Sequence, residues 1–336
     1  MRRPGALAVS GAVLLGAVAI GLAVGEPLSF ARALGDVASR EHRILWQVRL
    51  PRVLLGTVAG AGLAVTGAAY QGLLRNPLAE PYVLGVAGGA ALGATLALAL
   101  GAGALIASAS AGVTALAAAL GGVLATVAVW AASTRARGRG SVDGSATSIL
   151  LAGVIVNAIA GAAITFVKTM VKASVAQSLL FWLAGFVDVP STGALLTVAA
   201  CVALGAAVLV ADAARLNVLS LGDEQAMHLG VDVRALERRV FVASSLVVGA
   251  IVATCGMIGF VGLLVPHLLR RTLLRGSSDH RALLPASLVA GGALLVLCDA
   301  GARLAYRLFH TEPPVGALTA LIGGPTFLIL LGRRRS

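Results

Sequence analysis

Charged side chains are scarce in this chain, and their scarcity excludes a water-soluble fold. Only 12% of its 336 residues are charged, whereas 58% are hydrophobic. A soluble domain carries roughly 25% charged residues, because polar side chains must cover most of its surface. Here residues 53–74, 82–134, 144–167 and 313–332 contain no charge at all. The composition therefore predicts an integral membrane protein.

The apolar runs lack the alternating polarity that is typical of a transmembrane β-barrel, whose strands need only about ten residues. They approach or exceed the roughly 20 residues with which a helix crosses the hydrocarbon core. Gly occurs 42 times, and small residues let membrane helices pack closely. We predict an all-α protein with about ten spans, at residues 4–25, 53–74, 82–106, 112–133, 144–167, 190–211, 237–255, 260–271, 284–305 and 314–332. The apolar residues 173–186 are too few for a span and predict a short surface or re-entrant helix.

An even number of spans places both termini on one side, and the positive-inside bias makes that side cytoplasmic. The same bias accounts for the formal net charge of +12 without nucleic acid. Five arginines from Arg32 to Arg52 run against the positive-inside bias, because they fall on the outer side.

The first span follows Arg2 and Arg3 as a signal peptide would, but it is longer than the usual apolar region of about 7–15 residues. We predict that residues 1–336 form one transmembrane domain.

Neither catalytic nor metal-binding residues are expected. Cys201, Cys255 and Cys298 lie in apolar segments without metal-ligand spacing, and such cysteines are usually buried free thiols. Paired carboxylates and a nucleophile beside a base, as an intramembrane enzyme would need, are also missing from the sequence. His267 follows Pro266 without a second ligand nearby, which favours a packing role.

A phosphate-binding loop of the form G-x-x-x-x-G-K-[ST] is absent from the sequence as well. If transport is driven by ATP, the ATPase must be another chain. An ion-coupled secondary transporter is the alternative from a different class, and it needs ionisable residues at membrane depth. Asp299 is the one candidate, but Arg303 lies one helical turn later, so a structural ion pair is favoured.

Three stretches are more polar or richer in Gly and Pro than plain spans require. They are RLPR at 49–52 followed by QGLLRNPLAEP at 71–81, LGDEQAMHLG at 221–230, and GMIGFVGLLVPH at 256–267 followed by DHR at 279–281 and PPVG at 313–316. Pro51 predicts the first turn of a helix. Asp223 as N-cap and Gly230 as stop predict a short helix with an apolar patch of Ala226, Met227 and Leu229, which suits docking in a partner's groove. The alternative is a surface helix packed on the bilayer.

In this order the motifs resemble the permease family for iron-siderophore, haem and cobalamin import, the type II ABC importers, from Trp46 to Leu331. The resemblance implies a homodimer with the transport path on its two-fold axis, two cytoplasmic ATPase subunits that bind ATP and Mg, and a periplasmic substrate-binding protein. It predicts a permease subunit that moves an iron chelate, a siderophore or haem, across the bacterial cytoplasmic membrane. Cobalamin is the alternative cargo.

The resemblance also implies residue roles. It places docking to the binding protein at Arg40, Arg49, Arg52 and Arg303. It places coupling to the ATPase at Gly222, Asp223, Glu224, Gln225, Ala226, Met227, His228, Leu229 and Gly230. It places a cytoplasmic gate at Asn76, Leu78, Ser145, Thr147 and Ser148.

Lysine is the rarest basic residue, with only Lys168 and Lys172 just beyond span five. If the helix continues, residues four apart share one face. Two cations at the outer mouth of the path would attract an anionic chelate. The alternative is that they mark the membrane boundary as snorkelling lysines.

Overall fold

The structure is a computed structural model that describes residues 4–25, 28–82, 85–101, 110–137, 145–274 and 276–332. Within these ranges the regular elements are all helices, which confirms the all-α prediction. A π-helix, Ile44–Arg49, lies between α3 and α4. The α-helices in chain order are α1 Pro4–Ala23, α2 Phe30–Gly35, α3 Arg40–Arg43, α4 Leu50–Leu73, α5 Val86–Ala99, α6 Ser110–Arg137, α7 Ser145–Met170, α8 Ala173–Ala184, α9 Thr192–Ala211, α10 Ala213–Leu219, α11 Asp223–His228, α12 Val233–Cys255, α13 Val261–Arg271, α14 His280–Phe309 and α15 Val315–Gly332.

Six helices of the described ranges are long and apolar enough to cross a membrane, namely α1, the continuous helix 40–73, α7, α9, α12 and α14. Shorter apolar stretches lie in α5, α6, α8 and α15. Nine of the ten predicted spans coincide with one of these helices. The predicted short eighth span is α13, and the short apolar helix predicted at 173–186 is α8. The multi-pass architecture is therefore confirmed.

Helix α4 lies at the centre of the bundle and packs against α9, α12, α13 and α14. Glycines permit this contact, because a Cβ atom on Gly60 would collide with the carbonyl oxygen of Gly291 in α14. A Cβ atom on Gly67 would likewise collide with the carbonyl of Gly262 in α13. Backbone packed on backbone is the arrangement that small residues provide in membranes, as the glycine content predicts.

Pro51 lies in the first turn of α4, as predicted, but α4 continues a helical stretch that begins earlier in the chain. The chain is helical without a break from Arg40 to Leu73, and Pro51 is the second residue of α4. A proline inside a helix removes a donor and crowds the preceding turn. Here the π-helix supplies a wider turn, since the amide of Leu50 donates to the carbonyl of Leu45, five residues back. Local widening of this kind lets a helix continue past an irregular position.

Candidate functional site

A buried carboxylate, Asp299, joins two helices at the outer end of the bundle, where α4 begins and α14 ends. Arg52 Nη2 lies 2.8 Å from Asp299 Oδ1, and Arg52 Nε lies 3.0 Å from the same oxygen. Arg303 Nε lies 3.1 Å from Asp299 Oδ2, so the predicted ion pair one turn apart is confirmed. Arg52 also pairs with Glu312, which follows α14. The Asp299 side chain is only 2% exposed, so these charges neutralise one another away from water.

Two arginines bind the carbonyls at the end of α1, and one of them, Arg303, also contacts Asp299. Arg49 Nη1 donates to the carbonyl of Leu22 at 2.8 Å. Arg303 donates to the carbonyls of Gly21 and Val24, both at 2.9 Å. The last carbonyls of a helix have no partner within it, and cationic donors satisfy them while complementing the helix dipole. We call the residues Arg49, Arg52, Asp299, Arg303 and Glu312 the outer cluster.

The four arginines predicted to dock a binding protein therefore differ in surroundings. Arg40 is exposed at the start of α3, whereas Arg49 is 4% exposed. Arg52 and Arg303 are mostly buried, with side chains 19% and 10% exposed. Docking by these four residues stays a prediction, but for Arg49, Arg52 and Arg303 it would compete with bonds inside the chain. Sequence reasoning missed Glu312, whose position after a helix end carries no local signal.

The predicted coupling helix is present as α11, at Asp223–His228. It ends as expected, since Gly230 adopts a left-handed φ of 82° and Val231 donates to the carbonyl of Ala226 at 2.9 Å. The predicted N-cap is wrong. Gly222 occupies that position without a side-chain bond, and Asp223 instead pairs with Arg75, whose Nη2 lies 2.9 Å from Asp223 Oδ1.

The apolar patch on α11 also differs from the prediction. Ala226 is fully buried and belongs to the hydrophobic core, so it anchors the helix and is not available to a partner. Met227 and Leu229 are 58% and 63% exposed, and Leu221 just before the helix is 62% exposed. The three exposed residues, Leu221, Met227 and Leu229, form what we call the coupling patch.

The predicted gate residues that lie between α4 and α5 form a tight turn. Asn76 Oδ1 accepts a hydrogen bond from the amide of Leu78 at 2.9 Å, and Leu78 is 46% exposed. We call residues 74–80 the gate loop. Ser148 is partly buried in the first turns of α7. The side chains of Ser145 and Thr147 lie outside the described residues, so a gate formed with them stays a prediction.

A second polar cluster at the inner end joins α10 to the start of α14. Asn217 Nδ2 donates to Asp279 Oδ1 at 2.6 Å, and the amide of His280 donates to Asn217 Oδ1 at 2.8 Å. Asp279 also caps α14 by accepting from the amide of Arg281. The Asn217 side chain holds the pKa of Asp279 below its usual value, because the hydrogen bond favours the ionised carboxylate.

Lys168 and Lys172 do not share a helix face, because α7 ends at Met170. Lys168 lies in the last turn of α7, and Lys172 occupies the N-cap position of α8 with extended backbone. The prediction of a common face required the helix to continue from Lys168 to Lys172, and it does not. Their attraction of an anionic cargo stays a prediction.

The cysteines and His267 lie among apolar or aromatic side chains. Cys255 and Cys298 are buried free thiols and Cys201 is partly buried. No group of three His, Cys, Asp or Glu among the described residues could hold a metal ion. The His267 ring packs edge-on against Phe327 with centroids 6.1 Å apart, in agreement with the predicted packing role.

Comparison with known proteins places these features in a family. Residues 6–333 match the FecCD transport family. The cobalamin import system permease protein BtuC of Halobacterium salinarum is 39% identical over 94% of this chain and 79% of its own length. The hemin transport system permease protein HmuU of Yersinia pestis is 37% identical over 96% of this chain and 94% of its own length.

Solved structures agree. An inward-facing structure described as a metal-chelate type ABC transporter superposes with a TM-score of 0.82 at 31% identity, over 98% of both chains. PsaBC from Streptococcus pneumoniae, in complex with Fab, shares the fold at a TM-score of 0.56 and 17% identity, over 86% of this chain and 92% of its own. The chain therefore belongs to the FecCD transport family, as a multi-pass membrane permease subunit of an ABC importer.

Proposed function

We propose that two copies of this chain form a transport path for a metal chelate, driven by two separate ATPase subunits that bind ATP and Mg. The observation that carries the proposal is the coupling patch in and beside α11. The patch presents three large apolar side chains at the inner end of the molecule. They are not needed to hold α11 in place, because Ala226 already packs that helix against the hydrophobic core. Exposed apolar groups of this kind mark an interaction surface, and a short helix lying in a groove is a common recognition mode.

The sequence supports a separate ATPase, because it contains no phosphate-binding loop. Asp299, the candidate for ion coupling at membrane depth, is held between Arg52 and Arg303. That engagement disfavours the secondary transporter as an alternative function.

The experiment that tests the ATPase contact makes the same change, an exposed Leu to Glu, at two positions of the chain. Leu229→Glu puts a charge into the coupling patch, where the side chain is 63% exposed. Leu308→Glu is the matched control at the opposite end of the bundle, where the side chain is 78% exposed. Co-purification with the cognate ATPase is expected to be lost for Leu229→Glu and retained for Leu308→Glu. Ala226→Arg is unsuitable, because it would disturb the core.

Retention of the ATPase by Leu229→Glu, and by the double variant Met227→Glu with Leu229→Glu, would overturn the assignment of α11. Equal loss in the Leu308→Glu control would show that the added charge itself harms the protein. Folding of each variant is checked by size-exclusion chromatography in detergent.

For the cargo, we propose an iron chelate, either a siderophore complex or haem, with cobalamin as the alternative. The names of the relatives support this range, since they include hemin and cobalamin permeases. Uptake of ferric siderophore, haem and cobalamin into proteoliposomes with the cognate ATPase and binding protein would decide among them. Preference for cobalamin would overturn the iron chelate.

Lys168 and Lys172 offer a finer test of cargo charge. We propose that they attract anionic chelates at the outer mouth of the path. Replacing both with Gln should slow uptake of an anionic chelate more than that of a neutral one, and the difference should shrink as salt screens the charges. Equal uptake by variant and parent at low salt would leave them as membrane-boundary residues.

We also propose that an acidic substrate-binding protein docks at the outer end, with Arg40 as the most accessible of the predicted arginines. Arg40→Glu should lower the association rate, and the effect should weaken at high salt. Unchanged binding kinetics at low salt would remove Arg40 from the docking surface.

A further inference from the structure

An ion pair joins the gate loop, residues 74–80, to the coupling helix α11. Arg75 Nη2 lies 2.9 Å from Asp223 Oδ1, and the two side chains are 36% and 27% exposed. Arg75 is the second residue of the gate loop, and Asp223 is the first residue of α11. The two positions are 148 residues apart in the chain, and their contact depends entirely on tertiary structure.

The backbone at Arg75 is held in a conformation that usually requires glycine. Its φ is 49°, in the left-handed region that residues with a Cβ atom rarely adopt. The turn closes the end of α4, since the amides of Arg75 and Asn76 donate to the carbonyls of Gly72 and Gln71. Glycine is the usual residue at this point after a helix. An arginine held there therefore contributes something through its side chain, and that side chain points to α11.

The far end of the gate loop is attached to α13. The Glu80 carboxylate accepts a hydrogen bond from the amide of Phe260, the N-cap residue of α13. Gln71, just before the loop, donates to the carbonyl of Gly262 at 3.3 Å and accepts from Arg270. The gate loop thus bridges α11 at one end and α13 at the other.

Glycines flank α11 on both sides, at the points where a small helix could rotate. Gly222 has a φ of 119° and Gly230 a φ of 82°. A Cβ atom on Gly222 would collide with the Gln225 side chain, whereas it would only be in ordinary contact with Arg75 Nη1 at 3.7 Å. Residues at the ends of elements are where proteins absorb changes of backbone direction.

We propose that the Arg75–Asp223 ion pair transmits movement of α11 to the gate loop, and so couples the ATPase to opening of the path. The inference rests on the proposed function of α11 and adds the residues that carry its movement onward. A partly exposed pair can separate and reform, unlike the pairs that Arg52 and Arg303 make with the buried Asp299. Arg75 and Asp223 are thus positioning residues, which act through Asn76 and Leu78.

Charge reversal and charge exchange test this link in proteoliposomes that contain the ATPase and the binding protein. Arg75→Glu should keep ATPase association and hydrolysis while uptake per ATP falls by at least about fivefold, the lower end of common coupling between sites. Asp223→Arg lies in the predicted ATPase-coupling helix, so its uptake is likewise read as uptake per ATP hydrolysed, and it supplies the second half of the charge exchange. The double variant, with the charges exchanged, should recover most of the uptake. Arg234→Glu, at an exposed position in the first turn of α12, is the control with the same charge change.

Normal uptake per ATP in both single variants would overturn the proposal. So would a double variant that folds and hydrolyses ATP but recovers no uptake, because the pairing itself would then be irrelevant. A failure of the proposed function shows differently, as retention of the ATPase by the Leu229→Glu variant. The ratio of uptake to hydrolysis separates coupling from a general loss of structure, since misfolding lowers both.

Discussion

At the outer end of the bundle Arg52 and Arg303 share the buried carboxylate of Asp299, whereas at the inner end Arg75 meets Asp223 near the surface. The side chain of Asp299 is 2% exposed and that of Asp223 is 27% exposed. The outer charges also bind backbone carbonyls of α1, so several helices depend on them. The inner pair joins only a loop and a short helix. Arginine therefore makes a buried pair that joins several helices at the outer end and a partly exposed pair at the inner end.

The largest effect is expected from removal of the shared outer carboxylate. Asp299→Ala leaves Arg303 without its counter-charge and Arg52 with Glu312 alone, and loss of one partner from a buried pair costs about 3–5 kcal/mol. The free energy of unfolding, measured by SDS titration in mixed micelles, should fall accordingly. Glu312→Gln is the control, because its side chain is 32% exposed and Arg52 keeps Asp299. Equal losses in the two variants would contradict the central place of Asp299.

A smaller loss is expected at Arg49. Arg49→Ala removes the donor to the Leu22 carbonyl, and hydrogen bonds of charged groups contribute about 1.5–3 kcal/mol. Arg43→Ala, at an exposed position, should change the free energy of unfolding by no more than about 0.5 kcal/mol. If Arg49→Ala is fully stable but loses affinity for the binding protein, Arg49 belongs to the docking surface and the comparison between the two ends fails.

The inner ion pair should contribute little to stability and should respond to salt. Arg75→Ala is expected to cost about 0.2–1 kcal/mol, the range for exposed pairs. Added salt screens exposed charges over about 8 Å at physiological ionic strength, so the cost should shrink as salt rises. Arg52→Ala, in the enclosed outer cluster, should show no such dependence. Parallel unfolding titrations at low and high salt measure both.

The smallest effect is a dependence on pH at Asp279. Its pKa in the folded protein is depressed by Asn217, so ionised Asp279 favours folding. This contribution is present above the usual aspartate pKa of about 3.9 and is lost as pH falls through the folded pKa. Asp279→Asn should therefore be slightly less stable than the parent near neutral pH, and the difference should disappear in acid. A difference that is constant over this range would assign the effect to capping alone.

Sequence reasoning located the spans because membrane insertion is decided by length and hydrophobicity, which are local. It located α11 and its end at Gly230, because caps and stops also depend on neighbouring residues. It found the pairing of Asp299 with Arg303, which helical periodicity brings together. The prediction of Asp223 as N-cap was wrong because it used neighbouring residues alone. The Asp223 side chain pairs with Arg75, which is distant in the sequence.

By itself, the sequence determined a multi-pass helical protein, its approximate spans and the motifs of its family. Only the tertiary structure decided which arginines are enclosed and which face water, because burial depends on how distant segments pack. Arg52 and Asp299 are 247 residues apart, and no periodicity links Arg49 to the end of α1 or Arg75 to Asp223. Long charged side chains can reach in several directions, and the carbonyl or carboxylate that each one meets is set by the assembled bundle.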